Sequence, residues 1–427
     1  MSNQKRSHRH RVSFEVVLLC SLLVMLPLGL SGCTALGIQL EASPTPAVGY
    51  TLTTCNGHSV QRAHGAPPMA PPSVYAGSVG SFIGSPSTGA HLYAYSAEDG
   101  TLRWCDSFAS TAKPRCTTGR CPPPGVNIVG QPLLATNVLY VCVPDVLYAL
   151  NASDGTLRWK RETGCGIVSI PFEDDGQPIL ADELLYSGSY ALDPANGSIR
   201  WQLPPQTIPG VSADGTLYAL SLSGEFLYAL DAGTGKKHWE YVSDDVFGIH
   251  PVVSGGDVYE GTLDLGISAL AATTGQTLWS TYMSTFSGVV ADPSTGLLYC
   301  GERAQVSTPS PRAVLLALAA FTGKLRWQYQ TGGPAVPSVP IVDQNTVYFS
   351  GDGVYAVSAL NGAPRWHTPL ETSLSFSFTP VALLNGMVYV GGTNGEGNST
   401  LYALSARTGR ELWHTSGVNQ ISLLAAG

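Results

Sequence analysis

The fold of this chain is decided by the stretch Ala-Leu-Asp-Ala-Gly-Thr-Gly-Lys-Lys-His-Trp, residues 229–239. Residues 227–230, Leu-Tyr-Ala-Leu, alternate and are rich in β-forming side chains, which is typical of a strand. The Thr-Gly pair supplies the left-handed backbone position that a tight hairpin needs. A second short strand then carries Trp239. The stretch therefore predicts a β-hairpin that ends in a tryptophan.

The spacing within this stretch recurs eight times and includes every tryptophan of the chain. A glycine stands four residues before each tryptophan, and an alanine stands ten residues before it. Matches at two fixed offsets in every copy indicate a structural repeat of about 44 residues. The tryptophans are Trp104, Trp159, Trp201, Trp239, Trp279, Trp327, Trp366 and Trp413. The glycines are Gly100, Gly155, Gly197, Gly235, Gly275, Gly323, Gly362 and Gly409.

Each repeat has the composition of four short strands. A tyrosine-bearing strand precedes each hairpin, and several repeats open with a further strand that begins at proline, as at Pro251 and Pro340. Proline at the first residue of a strand removes no ladder hydrogen bond. Eight such units predict an all-β fold, an eight-bladed β-propeller of four-stranded antiparallel blades over residues 73–427. We expect the repeated Trp and Gly to dock each blade on the next.

The first repeat lacks an opening strand, because residues 66–72 are rich in proline. Beyond the last tryptophan the chain ends in an apolar segment, residues 421–425. We expect this segment to supply the missing inner strand of the first blade and to close the ring.

The N-terminal residues 1–32 have the pattern of an export signal, with a basic start and an apolar run over residues 16–30. The sequence Leu-Ser-Gly-Cys at residues 30–33 resembles a bacterial lipobox, which predicts cleavage before Cys33 and lipidation of that cysteine. The alternative is an uncleaved membrane anchor, but the run is shorter than the ~20 residues a spanning helix needs. We therefore predict a signal peptide over 1–32, a tether over 33–72 and a location at the cell membrane or envelope.

The cysteines agree with export. Seven remain after removal of Cys20 with the signal and lipidation of Cys33, and exported thiols tend to pair. The seven include Cys55 and Cys300. Because seven is an odd number, at least one of the seven has no disulfide partner within the chain. The candidates for disulfides are Cys105, Cys116, Cys121, Cys142 and Cys165.

Charge and composition exclude several classes of protein. The chain has 427 residues, 22 Lys+Arg and 30 Asp+Glu, and a formal net charge of −8. Charged residues make up 12% of it, about half of the ~25% of an average globular protein. Such an acidic chain with few cations does not fit binding to nucleic acid. We expect polar, uncharged rims, a monomeric propeller and an envelope protein as its partner.

The repeat resembles the propellers built of pyrroloquinoline-quinone-like (PQQ-like) repeats, whose motif is Ala-x-Asp-x-x-Thr-Gly-Lys-x-x-Trp. The resemblance covers about residues 73–415, although the motif Asp is kept only at Asp193 and Asp231. In that family the Trp lodges against the next blade. Together with the lipobox, the repeats are similar to the propeller lipoprotein of the outer-membrane barrel-assembly machinery. That resemblance implies a non-catalytic scaffold that docks on a protein partner.

The sequence offers no assignable catalytic set. Quinone-dependent relatives carry adjacent cysteines and a Ca²⁺ site, and this chain has no Cys-Cys pair and no clear ligand set for either, so neither PQQ nor Ca²⁺ is expected. The acidic runs at residues 173–175 and 244–245 are interpreted as solvated loops. The alternatives left open are a secreted PQQ-dependent dehydrogenase and a ligand-sensing surface domain. Four longer loops are the expected functional surface at one rim of the ring: residues 107–129, 162–177, 301–313 and 391–400.

Overall fold

The structure of this protein is a computed structural model. It describes residues 50–54, 72–78, 90–110, 129–143, 145–166, 177–262, 266–283, 287–302, 312–370, 377–393, 398–419 and 421–426. The chain divides into the units Met1–Pro46 and Ala47–Gly427, and every described residue belongs to the second. The signal peptide and Cys33 lie outside the described residues. In the described part, no helix has the length and apolar character needed to cross a membrane.

The described chain forms eight antiparallel sheets, which are the blades of a propeller, and the predicted all-β fold is confirmed. Blades 2 to 7 each contain four consecutive strands. In blades 2 to 4 these are β5 Val129–Ala135, β6 Val138–Val143, β7 Val146–Asn151, β8 Leu157–Glu162, β9 Ile179–Ala181, β10 Leu184–Ser187, β11 Tyr190–Leu192, β12 Ile199–Gln202, β13 Thr207–Ala213, β14 Thr216–Ser221, β15 Phe226–Asp231 and β16 Lys237–Val242. In blades 5 to 7 they are β17 Val252–Ser254, β18 Asp257–Thr262, β19 Gly266–Ala271, β20 Thr277–Thr281, β21 Val290–Asp292, β22 Leu297–Glu302, β23 Val314–Ala319, β24 Leu325–Gln330, β25 Ile341–Asp343, β26 Thr346–Ser350, β27 Val354–Ser358 and β28 Pro364–Thr368.

Blades 1 and 8 depart from this plan. In blade 8 the innermost strand is split into two pieces that both pair with the second strand. Its strands are β29 Ser377–Phe378, β30 Ala382–Leu384, β31 Met387–Thr393, β32 Asn398–Ser405 and β33 Glu411–Asn419. Blade 1 joins both ends of the described chain, with strands β1 Tyr50–Thr54, β2 Ser73–Ser78, β3 Ala90–Ser96, β4 Leu102–Ser110 and β34 Ile421–Ala426.

The C-terminal strand closes the ring, as the sequence predicts. Strand β34 pairs antiparallel with β2, and Tyr75 lies opposite Ala425 in the register. Strand β34 also contacts β5 of blade 2 on one side and β30 of blade 8 on the other. The last segment of the chain therefore occupies the innermost position of the first blade, which has no opening strand of its own.

Strand β1 lies within residues 33–72, for which the sequence predicts a tether and no strand. It pairs antiparallel with β4, from Tyr50 opposite Ser110 to Thr54 opposite Asp106. Blade 1 therefore has five strands, with β34 at the inner edge and β1 at the outer edge. The added strand covers only the C-terminal half of β4.

The repeated tryptophans lie at the seams between blades. The indole Nε1 of each one donates a hydrogen bond to a backbone carbonyl of the following blade, over distances of 2.8–3.2 Å. The last seam joins Trp413 of blade 8 to the carbonyl of Ala97 in blade 1. Within its own blade each indole also contacts the ring of the repeat tyrosine, at centroid distances of 5.8–6.1 Å. The eight seams are thus built alike, and the eighth completes the circle.

Each indole packs against the repeated glycine of the following blade, and we call this position the seat of the indole. All eight glycines have a positive φ, between 65° and 74°, which glycine adopts without steric cost. A Cβ added at Gly275 would lie 2.6 Å from Cε3 of Trp239 in the preceding blade. Two independent constraints, the backbone conformation and the close approach of the indole, therefore select glycine at these positions.

Candidate functional site

The two ends of the ring differ in their connections. We call one end the turn face, defined by the turns between the third and fourth strands of each blade: residues 97–101, 152–156, 193–198, 232–236, 272–276, 320–324, 359–363 and 406–410. Each of these turns is closed by a hydrogen bond from the N–H of the repeat glycine to the carbonyl four residues earlier, at 2.8–3.0 Å. The turn face is therefore nearly the same in every blade.

The opposite end carries the variable part of the chain. We call it the loop face, defined by the connections between the second and third strands of a blade and those that cross to the next blade. Because neighbouring strands are antiparallel, all of these connections meet at one end of the ring. The four long loops of the sequence analysis fall here, between β4 and β5, β8 and β9, β22 and β23, and β31 and β32. Their placement on one rim agrees with the prediction, although much of each loop lies outside the described residues.

A disulfide secures the base of one of these loops. Cys142, near the end of β6, is joined to Cys165, which follows β8. The same corner is held by hydrogen bonds from the N–H of Asp145 to the carbonyl of Cys165, at 2.9 Å, and from the N–H of Thr163 to the carbonyl of Asp145, at 2.8 Å. Both sulfur-bearing side chains are buried. The loop that begins after Glu162 is thereby fixed to the blade from which it leaves.

The remaining cysteines have separate outcomes. Cys105 is also disulfide-bonded. Its two predicted neighbours Cys116 and Cys121 lie outside the described residues. Cys300 is a free thiol, and complete burial raises its pKa to about 12. A protonated thiol inside a blade is unreactive, so we assign Cys300 a packing role.

A small depression opens on the loop face beside the disulfide. It is lined by Gly164, Cys165, Gly166, Gln177, Gly188, Ile208, Pro209 and His250. These residues come from blades 2 to 4 and from the crossing into blade 5. Three of the eight lining residues are glycines, and Gln177 and His250 contribute polar side chains.

Two exposed aromatic side chains mark the two ends. Tyr282 follows β20 on the loop face and is 81% exposed, and Phe321 lies in a turn of the turn face and is 84% exposed. They belong to neighbouring blades, 5 and 6. Leu360, in the next turn along the turn face, is also exposed. The pair Tyr282 and Phe321 therefore offers matched positions for comparing the two faces.

Glu260 is a buried carboxyl group near the loop-face end of β18. It is 1% exposed, and its Oε2 has no hydrogen-bond partner among the described residues. Ser268 lies opposite it on β19. Burial raises the pKa of Glu260 to about 7, the side chain of Ser268 opposes that shift, and the negative charge of Asp245 adds to it. In the other blades the equivalent position, one residue after the repeat tyrosine, holds Ala76, Val141, Ser187, Ala219, Cys300, Phe349 and Val390.

We expect Glu260 to make the stability of the ring depend on pH. The pKa of Glu260 is higher in the folded state than its ordinary 4.5. Its protonation therefore stabilises the fold fully below pH 4.5, and this stabilisation is lost as the pH rises through about 7. The variant Glu260→Gln should remove the fall in the free energy of unfolding with rising pH. At pH 8 its free energy of unfolding should be about 3 kcal/mol higher than that of the wild type. Urea unfolding at pH 5 and pH 8 measures this, with Glu260→Ala, the residue found in blades 1 and 4, as a second variant. The prediction is contradicted if the difference in unfolding free energy between the wild type and each variant is the same at pH 5 and at pH 8.

The other titratable candidates are dispersed. Among described residues, no group of three or more His, Cys, Asp or Glu side chains is placed to hold a metal ion. His91 is buried and lies 2.8 Å from the hydroxyl of Ser107, whereas His367 stacks on Tyr355 at a centroid distance of 4.1 Å. His414 pairs with Glu411 on the outer strand of blade 8. The acidic run at 173–175 lies outside the described residues, and the described histidines are not brought together.

Comparison with known proteins places these features in a family. The model described as outer membrane protein assembly factor BamB matches residues 88–203 and 187–415, which is most of the chain. The chain belongs to this family. The match covers the eight docking tryptophans, and it confirms the PQQ-like repeat that the sequence predicts.

Individual relatives are more distant. The chain is 28% identical over 180 residues to BamB of Yersinia pestis, a match that covers 40% of this chain and 44% of that protein. It is 25% identical over 330 residues to the quinohemoprotein alcohol dehydrogenase ADH IIB of Pseudomonas putida, covering 66% of this chain and 44% of that protein. The chain thus spans about half the length of these curated relatives. The solved structure of apo AztD from Citrobacter koseri is similar with a TM-score of 0.55 at 11% identity, covering 83% of this chain and 98% of that one, and it supports the fold alone.

Proposed function

We propose that this protein is an exported propeller of the cell envelope that binds a protein partner through its loop face and catalyses no reaction itself. The observation that carries the proposal is the asymmetry of the ring. Eight closely similar turns occupy one end, while the four long connections meet at the other. Binding residues concentrate on variable loops held by a rigid scaffold. The relatives named as outer membrane protein assembly factors support the same reading.

The proposal includes a lipid anchor. Residues 1–32 act as a signal peptide, Cys33 carries the lipid, and the segment that follows connects it to the ring. The support is the pattern at residues 30–33 and the membership of the BamB family. The acyl chains, rather than a basic surface, hold the acidic propeller at the membrane.

The partner is a protein, and the ring acts as a monomer. A net charge of −8 gives little attraction for nucleic acid or for anionic lipid headgroups. Polar, uncharged loops suit recognition by hydrogen bonds and local packing. We propose that PQQ and Ca²⁺ are not needed for this role.

Site-specific cross-linking tests the proposal. A photo-reactive phenylalanine analogue replaces Tyr282 on the loop face in one variant and Phe321 on the turn face in another. Irradiation of cells should join the first variant to one protein in stoichiometric yield, while the second should give little product. Cross-links from position 321 alone, or from neither position, would exclude docking by the loop face.

A second candidate is a PQQ-dependent dehydrogenase, and the similarity to the Pseudomonas putida enzyme favours it. Among the described residues no cluster of three or more His, Cys, Asp or Glu side chains is arranged for a metal ion. Purified protein titrated with PQQ and Ca²⁺ and supplied with alcohols or sugars separates the two functions. Reduction of an electron-accepting dye would establish the enzyme and overturn the scaffold.

A further inference from the structure

The connection from blade 4 to blade 5 follows an irregular path beside Glu260. It comprises residues 243–251, between β16 and β17, and we call it the blade 5 crossing. Strand β17 pairs with β18 as far as Tyr259, and the crossing pairs with β18 again where Phe247 lies opposite Thr262. Glu260 lies between these two points. The buried carboxyl group is therefore placed where the pairing on this side of β18 is irregular.

In blades 6, 7 and 8 a hydroxyl group of the crossing fastens it to the second strand. The hydroxyls of Ser287, Ser338 and Thr379 each accept the N–H of the residue two positions after the repeat tyrosine, at 2.6–3.1 Å. In blades 7 and 8 the N–H of the same serine or threonine also donates to the carbonyl of that residue. Blade 5 keeps this backbone bond, from Gly248 to Gly261 at 2.8 Å. Because glycine has no hydroxyl group, the blade 5 crossing lacks the second bond at this point.

Glu260 would carry an unpaired charge if it ionised inside the closed ring. Its side chain is 1% exposed, and its Oε2 has no hydrogen-bond partner among the described residues. The ionisable groups that act on it are Asp245 of the crossing, which is negative, and Tyr241 of β16, a phenol whose pKa burial raises. The crossing also carries Asp244, which is exposed, and His250, which lines the depression. Since a buried charge without a partner is costly, ionisation favours a state in which water reaches the carboxylate.

The crossing is the neighbour of Glu260 that can move aside at the lowest cost. Separating β18 from β19 would break a ladder of six registered pairs. The crossing parts from β18 by losing the bridge at Thr262 and the bond from Gly248 to Gly261. It stays attached to blade 4, because the N–H of Phe247 donates to the carbonyl of Gly224 at 2.8 Å. Segments held by few hydrogen bonds open locally while the rest of a protein stays folded.

We propose that the blade 5 crossing is a proton-operated gate on the loop face, closed over Glu260 while that carboxyl group is protonated and parted from β18 once it ionises. The pKa of Glu260, raised to about 7 by burial, lies well above its ordinary 4.5. The closed form is therefore fully stabilised below pH 4.5 and loses this stabilisation as the pH rises through about 7. The gate goes beyond the proposed function, because it requires neither a partner nor a lipid anchor. A protein that docks on the loop face meets a different surface in the two states.

Hydrogen–deuterium exchange at single amides tests the gate on the purified full-length chain. The probe is the N–H of Gly248. The matched control is the N–H of Ser338, which makes the same bond to the carbonyl of Ser350 in blade 7, also at 2.8 Å. The neighbouring position in that blade holds Phe349 in place of a carboxyl group. Mass spectrometry with electron-transfer fragmentation follows both amides at pH 5 and pH 8, and each rate is divided by the intrinsic rate of an unprotected amide.

We expect the protection of Gly248 to fall by at least about tenfold from pH 5 to pH 8, while that of Ser338 stays within about twofold. In Glu260→Gln the fall at Gly248 should disappear. Glu260→Ala, which introduces the residue found in blades 1 and 4, should have the same effect and serves if the glutamine variant does not fold.

Three results would overturn the gate. The first is constant protection of Gly248 in the wild type. The second is an equal fall at Ser338, which would show that the whole ring responds to pH and not the crossing. The third is a fall at Gly248 that survives the substitutions of Glu260. All of these measurements use the chain without a partner, so that their outcome is separate from the success or failure of the proposed docking.

Discussion

A chain that ends at Asn419 is expected to melt roughly 6 °C below the full-length protein. The truncation removes β34, which pairs with β2 over five registered positions. A net contribution of about 1 kcal/mol for each backbone hydrogen bond gives a loss near 5 kcal/mol. The deletion also leaves the inner edge of blade 1 unpaired and removes the contacts of β34 with β5 of blade 2 and β30 of blade 8. Calorimetry of the two chains measures the difference.

The matched control for this truncation lies at the other edge of the same blade. Leu52→Pro/Thr53→Pro disrupts β1, which pairs with β4 but closes nothing. We expect it to lower the melting temperature clearly less than the truncation does, because β1 pairs with β4 at the outer edge, whereas β34 also contacts β5 and β30 of the neighbouring blades. If the truncated chain does not fold, the single substitution Leu423→Pro tests the same pairing more gently. An unchanged melt in the truncated chain, or equal effects at the two edges, would mean that β34 does not close the ring.

The variant Gly275→Ala is expected to destabilise the ring by about 3–5 kcal/mol. Part of the cost, about 1 kcal/mol, comes from placing alanine at a φ of 71°. The larger part comes from the Cβ, which would lie 2.6 Å from Cε3 of Trp239 and would force the indole out of its seat. Chemical unfolding with a fluorescence readout measures the change and reports the tryptophan environment in the same experiment.

Gly215 provides the control for this substitution. Its φ is 72°, almost the same as that of Gly275, but nothing lies within 4 Å of an added Cβ. Gly215→Ala should therefore cost only the backbone contribution, about 1 kcal/mol. In a Trp239→Ala background, Gly275→Ala should fall to the same value, because the clashing ring is gone. Equal costs for the two glycines in the wild-type background would show that the indole seat does not select glycine.

Much of the architecture could be predicted because every seam imposes the same demand. An indole must enter a space between blades, and a glycine with positive φ must leave that space open, so the pair recurs at a fixed spacing in all eight repeats. The closing strand was also accessible to sequence reasoning, since an apolar tail and a missing first strand complement each other. Both signals come from the repetition and not from any single residue.

Other features lacked a comparable signal. Strand β1 is a single short segment, and nothing in its composition tells whether an edge is available to pair with it. The choice of Cys165 as the partner of Cys142 depends on how the chain crosses from β8, which spacing does not determine. The indole acceptors are backbone carbonyls, three residues before each repeat glycine, and are invisible to a motif of side chains.

Glu260 shows a signal that was present in the sequence but was missed. In the sequence of β18 alone, Glu260 looks like an ordinary exposed residue. Aligning the eight repeats on their tyrosines places it where the other blades hold small or apolar side chains, such as Ala219 in blade 4 and Phe349 in blade 7. An alignment of the repeats would therefore have predicted a buried carboxyl group at the seam of blades 4 and 5.

The most direct test of the central claim is the ratio of cross-linked partner obtained from positions 282 and 321 in the same membrane preparation. Both native side chains are highly exposed, so accessibility to solvent does not favour either. Docking by the loop face predicts a single product of fixed mass that is at least about tenfold more abundant from position 282. Similar yields from the two positions, or a product confined to position 321, would contradict the account.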